Sequence, residues 1–325
     1  MEHYINKIIQ GDCLEELKKL PDECIDLVVT SPPYFNLRDY ETEGQIGLEA
    51  TWQEYIKKLI DVFNEVKRVL KKEGVCFVNL GDTFAGSGNG RNGDGTVGKS
   101  GTLNKNNKGT QKGIIKTNKH QLQAKSLMMI PERFAIAMID SNWILRNKLV
   151  WIKRNAMPES VQDRWKKAHE YIFFFVKNKK YYFNLDAIRT PHKLVSIKRA
   201  EYEQGRNALG QNASSLGDKS KEYGMPARVV KLNPKGAVPP DFLDINTNCR
   251  TKDTITEHYA TYPMDLISPL IKAGCSEGGV VLDPFNGSGT TCVVAKLLNK
   301  NYIGIDISKK YCDIANARIN SIKND

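Results

Sequence analysis

Between Val280 and Asp306 the chain runs as an apolar strand (Val280–Asp283), a glycine-bearing turn, a helix (Thr290–Leu298) and a second apolar strand (Tyr302–Asp306). Strands that alternate with helices in this way build a sheet covered by helices on both faces. The same alternation occupies most of the chain. Tyr4–Ile9 reads as a strand ending at Gly11-Asp12, followed by a short helix over Cys13–Leu20. Ile25–Thr30 is mostly apolar, as in a strand buried on both faces, and Ser31-Pro32-Pro33 stops it. Trp52–Leu70 places Tyr55, Leu59, Val62, Phe63, Val66 and Leu70 at helical spacing. A strand at Val75–Leu80, a helix at Leu127–Asp140, neighbouring strands at Leu145–Ile152 and Tyr171–Val176, a helix at Met264–Lys272 and another after Ser308 complete the pattern.

Two stretches break it. Residues 86–125 hold eight Lys/Arg against one acid, Asp94, and nine glycines fall within 86–113. With almost nothing to form a core, this stretch is expected to be a mobile basic loop. Residues 190–257 hold eleven Lys/Arg against eight Asp/Glu, with scattered Pro and Gly and weak periodicity. They are expected to form an inserted small domain or an elaborated loop region. The two stretches contribute +7 and +3 to a net charge of +11. Charge localised like this suits a polyanion, nucleic acid first, although a solubilising surface would have the same composition.

The rest of the composition excludes several classes. With 40% hydrophobic and 26% charged residues over 325 positions, the chain is globular and long enough for one large or two smaller domains. No run of about 18 apolar residues reads as a membrane span, and Met1-Glu-His-Tyr-Ile-Asn-Lys lacks a signal-peptide core. Seven cysteines without paired spacing point to a reducing cytosol, so a cytoplasmic location is expected. CxxC and HExxH patterns are absent, and no metal is expected.

Two motifs carry chemistry. Val281-Leu-Asp283-Pro-Phe285-Asn286-Gly287-Ser-Gly289-Thr-Thr291 follows a strand and opens a helix. Its glycines permit a tight turn and close approach of a ligand to the backbone. Asp306, at the end of the next strand, can accept both ribose hydroxyls of an adenosine moiety. The third glycine of the dinucleotide fingerprint and the GK[ST] of a P-loop are missing, which demotes NAD and ATP. The second motif, Thr30-Ser31-Pro32-Pro33-Tyr34, is a rigid corner at a strand end, because two prolines cannot continue a ladder. It aims the Ser31 hydroxyl and the Pro32 carbonyl at one point, with the Tyr34 ring beside them. A plain strand-ending turn would use the same residues.

Together, Ser31–Tyr34 and Phe285–Gly289 resemble the [DNS]PP[YFW] and FxGxG hallmarks of the amino-methylating DNA methyltransferases. The corner precedes the turn with a long variable region between them, an order similar to that family's β group, which resembles a circular permutation of the usual methyltransferase fold. The likeness spans roughly residues 4–85, 126–189 and 258–322. It implies a Rossmann-like, mostly parallel seven-stranded α/β sheet in permuted order. The catalytic domain would comprise 1–85, 126–189 and 258–325, with the basic loop at 86–125 and a target-recognition region at 190–257.

The implied cofactor is S-adenosylmethionine. Asp12 resembles the acid that contacts the adenine and Asp306 the ribose acid; Asp283, Phe285, Asn286, Gly287 and Gly289 would complete the cofactor turn. Tyr259–Pro263, with Thr261 and Tyr262, resembles the segment lining the methionine end. Lys148–Pro158 resembles the strand and loop flanking the target base, which makes Arg154 and Asn155 candidates for DNA contact. Arg199, Arg206 and Arg228 are candidates for reading bases, since Arg makes the commonest specific contact in the major groove. The implied partner is double-stranded DNA, with a cognate restriction endonuclease left open.

The resemblance assigns Ser31, Pro32, Pro33 and Tyr34 to catalysis on a flipped-out base. Ser in the first position is associated mainly with N4 of cytosine, and Asp or Asn mainly with N6 of adenine. N4-cytosine is therefore expected, with N6-adenine as the alternative. An RNA or protein amino-methyltransferase, or a DNA-binding module without catalysis, are more distant readings. No cysteine nucleophile is expected, because the amine itself attacks. His169 is expected to be structural and Trp143 and Trp151 to lie in the core, while Asp82 fits either a ligand contact or a turn.

Overall fold

The computed structural model describes residues 1–37, 42–85, 122–208, 231–247 and 262–322, without the side chains of 203–208. Thr261, Arg228 and most of the basic stretch (86–121) lie outside the described residues, and only the backbone of Arg206 lies within them. The chain divides into a larger unit, Met1–Asn184 with Asp241–Asp325, and a smaller one, Leu185–Pro240.

The larger unit contains strands β1 (Lys7–Gln10), β2 (Ile25–Thr30), β3 (Leu70–Leu80), β4 (Ile144–Ile152), β5 (His169–Val176), β6 (Phe242–Asp244), β7 (Val280–Asp283) and β8 (Asn301–Asp306). Its helices are α1 (Cys13–Lys18), α2 (Trp52–Val69), α3 (Ile130–Asp140), α5 (Met264–Gly274), α6 (Thr290–Leu297) and α7 (Lys309–Asn320); α4 (Leu194–Ala208) belongs to the smaller unit. The strands lie in the order β1-β8-β7-β2-β3-β5-β4-β6. All neighbours are parallel except β5, which runs antiparallel to both β3 and β4.

Successive side chains of a strand point to opposite faces, and here they divide between two cores. Val28, Cys76, Val78, Phe173 and Phe175 pack with Leu17, Phe63 and Phe134 of α1–α3. Leu27, Val29, Val75, Phe77, Ile172 and Phe174 pack with Leu266, Val294 and Ile319 of α5–α7.

Element boundaries depart from the sequence pattern where a side chain or a left-handed residue intervenes. β1 begins only at Lys7, after Asn6 at φ +60°. α3 begins at Ile130 instead of Leu127, because Met129 is left-handed (φ +56°) and the Asp82 carboxylate takes the N–H groups of Met129 and Ile130 at 3.0 Å each. Asp82 is thus a turn and capping residue. Leu70 passes straight from α2 into β3 without a loop. The sheet also has eight strands where seven were expected. Phe242–Asp244 adds itself beside β4 one residue after Pro239-Pro240, and three residues are too few to show a period.

The smaller unit carries α4 and a bridge between Thr190 and Ala237. In it Asp186 accepts from Arg189 at 2.7 Å and from Lys235 at 2.6 Å.

Candidate active site

The connections from β7 and β2 lead in opposite directions. β7 runs through α6 to β8 on one side, and β2 runs through α2 to β3 on the other, while β7 and β2 are themselves neighbours. Ligands of open α/β sheets bind at the carboxyl ends of the strands at such a switch point. Both sequence motifs begin there. Thr30, the last residue of β2, donates its hydroxyl to Asp283, the last residue of β7, at 2.6 Å.

Asp283 also accepts from Thr291 Oγ1 at 2.8 Å, Tyr262 Oη at 3.0 Å and the Phe285 N–H at 3.1 Å. It is 1% exposed, and burial raises its pKa even against these donors. The ligand contact expected of the Asp283 carboxylate is therefore not its work: it ties β2, β7, α6 and Tyr262 together. Asn286 is likewise an internal residue. It is buried, accepts from the Cys292 thiol at 3.1 Å and lies so close to Gly304 that a Cβ there would come within 2.6 Å of Asn286 Oδ1. Gly289, at φ +83°, serves packing: a Cβ would stand 2.7 Å from that of Ala315 in α7.

The rim of the turn is polar and directed. Gly287, at φ +49°, donates its N–H to Asp306 Oδ2 at 2.7 Å, and Ser308 donates to Oδ1 at 2.8 Å. Each carboxylate oxygen so retains a lone pair for a further donor. Burial pushes the half-buried Asp306 up to a pKa of about 6, the two N–H bonds opposing the rise. Just past the neighbouring strand β1, Gly11 N–H donates to the Asp306 carbonyl at 3.0 Å, which places Asp12 alongside. Asp12 Oδ1 caps α1 through Leu14 N–H (3.0 Å) and Glu15 N–H (3.1 Å). Phe285 is partly buried against the α1–α3 core. A carboxylate with lone pairs to spare beside a glycine turn suits a ribose diol.

The Ser31–Tyr34 corner is braced from behind. Buried Tyr55 of α2 donates to the Pro33 carbonyl at 2.8 Å, whereas no described residue donates to the Pro32 carbonyl. The Tyr34 hydroxyl donates to Glu170 Oε2 at 2.8 Å, lies 3.1 Å from Asn79 Oδ1 and is 3.5 Å from Ser31 Oγ. Its ring presses on Gly81, where a Cβ would stand 2.5 Å away. Glu170 in turn pairs with Lys153. Burial, then the Glu170 charge, raises the Tyr34 pKa well above its ordinary value, so the phenol stays protonated and acts as a donor.

Glu170, Asn79 and Lys153 were not singled out from the sequence, although the signal was present. Glu170 opens the apolar run Tyr171–Val176, and Asn79 interrupts Val75–Leu80. A polar residue at a strand's site-facing end is the same cue that identifies Asp306. β5 is antiparallel, so it contributes its beginning to this edge, where Leu80 pairs with Tyr171.

Of the DNA-contact candidates, Arg154 is paired with Asp244, Nε lying 2.8 Å from each carboxylate oxygen. Asn155 secures Thr247, accepting from its N–H at 2.8 Å and donating to its carbonyl at 2.9 Å. Arg199 is exposed on α4 in the smaller unit. His169 contacts only the Tyr171 hydroxyl among its described polar neighbours, and Trp143 and Trp151 are core residues.

Comparison with known proteins agrees with this architecture. A family of DNA methylases (N6_N4_Mtase) matches residues 25–317. The chain is 33% identical to the type II methyltransferase M.Cfr9I of Citrobacter freundii over 96% of its own length and 87% of that protein. It is 34% identical to the type II methyltransferase M.SmaI of Serratia marcescens over 96% of its own length and 90% of that protein. Among solved structures, the cytosine-N4-specific PvuII DNA methyltransferase superposes with a TM-score of 0.61 at 19% identity, covering 97% of this chain and 87% of that one. A putative DNA modification methylase of Thermus thermophilus, complexed with S-adenosyl-L-methionine, gives a TM-score of 0.55 at 19% identity over 96% and 92% of the two chains. The extent of these matches, and a site assembled at the same strand ends as the two motifs, mean that the chain belongs to the N6/N4 DNA methylase family.

Proposed function

We propose that this protein is a site-specific methyltransferase that uses S-adenosylmethionine to methylate the exocyclic N4 amine of a cytosine in double-stranded DNA. The observation that carries this reading is the Thr30–Asp283 bond, which holds the proline corner and the glycine turn against each other at the switch point. S-adenosylmethionine supplies a methyl group on a sulfonium: the amine nitrogen would attack the methyl carbon, the carbon–sulfur bond would break with the neutral thioether leaving, and the surplus amine proton would pass to solvent. Asp306 and Gly287 hold the ribose end, Asp12 the adenine end and Tyr262 the methionine end.

An exocyclic amine inside a duplex is buried in the stack, so the base is extruded at a cost of about a few kcal/mol. Tyr34 supports the extruded ring with its face, while its hydroxyl is fixed by Glu170. Ser31 Oγ and the Pro32 carbonyl accept the two amino hydrogens, which turns the nitrogen lone pair out of conjugation. The corner thereby works by placement. Ser31 at the first corner position supports cytosine over adenine. Arg154 and Asn155 flank the extruded base, and the 190–257 region, with Arg199, Arg206 and Arg228, reads the sequence around it.

The test is to incubate the purified protein with plasmid DNA and methyl-labelled cofactor, digest the DNA and identify the labelled nucleoside by mass. N4-methylcytosine is expected. N6-methyladenine would overturn the target base, and absence of label in DNA would overturn the reading as a whole.

A further inference from the structure

Trp165 is 94% exposed, whereas Trp143 and Trp151 are 3% exposed and Trp52 is half-buried under the guanidinium of Arg133, 3.9 Å from its ring. The loop that carries Trp165 is nevertheless held at both ends. Lys153 N–H donates to the Ala168 carbonyl at 2.8 Å, and Lys167 Nζ donates to the Asp82 carbonyl. Arg164 is clamped by Glu159 at 2.8 Å, lies 4.2 Å over the Phe84 ring and donates to the carbonyl of Trp165 itself at 3.0 Å. The backbone beneath the indole is thus fixed while the ring stands in solvent.

Both anchors adjoin the Tyr34–Glu170 contact. Lys153 pairs with Glu170, which accepts the Tyr34 hydroxyl, and Asp82 follows Gly81, on which the Tyr34 ring rests. The indole is also embedded in cations, in the run Arg164-Trp165-Lys166-Lys167.

We infer that Trp165 stacks on a base of the bound DNA, beside the position from which the target base is extruded. The inference rests on the DNA-methylating reading above and adds a contact to it. A flat aromatic side chain stacks on any base, and flanking cations meet the phosphates on either side. Extrusion leaves a gap in the stack, and a rigidly based ring projecting from the wall of the site fills it. An apolar protein partner fits less well, because the immediate sequence neighbours of the indole on both sides are cationic.

The experiment is acrylamide quenching of tryptophan emission in the full-length protein, with and without sheared genomic DNA that the wild type methylates. Emission is expected to fall on DNA binding, and accessibility to drop to that of Trp165→Phe. Trp165→Ala should weaken DNA binding about 5- to 100-fold, with Trp165→Phe recovering most of it and cofactor affinity unchanged in both. Trp165 that stays accessible on DNA which is nonetheless methylated would overturn the inference and leave the methyl-transfer reading intact. Shielding that grows with protein concentration in the absence of DNA would assign the ring to a second copy and overturn it equally. Failure of the wild type to bind or methylate any DNA would instead bring down the reading on which the inference rests.

Discussion

Asp306 meets two opposing demands. In the proposed cofactor site its carboxylate is ionised to accept ribose hydroxyls, yet burial raises its pKa from the usual 3.8 to about 6. A carboxyl whose pKa is higher folded than unfolded stabilises the fold below the unfolded value, and this contribution is lost as pH rises through the folded value. The cofactor-free protein should therefore lose stability from this group between about pH 4 and 6. Thermal melts of wild type and Asp306→Asn should diverge across that interval and run parallel above it. Cofactor affinity should follow the opposite course, flat above pH 6 and weakening by up to about tenfold per unit below it, with Asp306→Asn weak throughout. Titration calorimetry at pH 5, 6 and 8 checks this; an unchanged wild-type affinity at pH 5 would remove Asp306 from the ribose site. Tyr34 and Glu170 form a second residue-scale unit. Glu170→Gln and Tyr34→Phe should each lower turnover about tenfold, close to 1.4 kcal/mol, with cofactor affinity unaltered. Because both act through one contact, the double variant should be no slower than either single one. Additive losses in single-turnover rates would show that the two residues work separately.

At the scale of elements, the turn between β7 and α6 puts helix packing and the proposed cofactor site into one motif. Gly287 faces Asp306, whereas Gly289 exists to let α6 approach α7. Gly289→Ala forces a side chain into the left-handed region and onto Ala315, and should cost about 2–4 kcal/mol of stability. A melting temperature within a degree of wild type would refute that role. The elements were legible where they were long or apolar. Ile25–Thr30, the apolar stripe of α2 and the β7-to-β8 passage follow directly from period and composition. The start of α3 was not, because it is set by a carboxylate from a distant strand end, and neither was β6, three residues long. In the site, the two motifs revealed themselves through glycine and proline. Glu170, Asn79 and Lys153 did not, because what unites them is the antiparallel return of β5, which brings Glu170 beside residues far away in sequence. Asp283 was legible as important but not in its task, since a saturated carboxylate and a ligand-binding one look alike in a sequence.

For the whole molecule, charge is the quantity that matters. Of the net +11, the segment 86–121 supplies seven Lys/Arg against one acid. Phosphate contacts release counterions, so affinity for duplex DNA should fall with salt at a slope of about 0.9 per contact. Replacing those seven residues with Gln should make the slope shallower by several such increments while leaving cofactor binding unchanged. Fluorescence anisotropy of a labelled duplex at several salt concentrations measures it, and an identical slope would show that these charges never meet phosphate. No helix among the described residues is long and apolar enough to cross a membrane.

The Thr30–Asp283 bond spans 253 residues of sequence. On a translating ribosome, at rates of about 5–20 residues per second, Asp283 emerges on the order of 10–50 s after Thr30. Throughout that interval the nascent chain already displays its proline corner and, later, its basic stretch, but the strand that anchors the corner has not been made. On the proposed function, a half-synthesised copy carries its basic charge before it is able to modify DNA. Competence therefore arrives late and abruptly, when β7 slots in beside β2, and a chain cut short anywhere before that strand is silent.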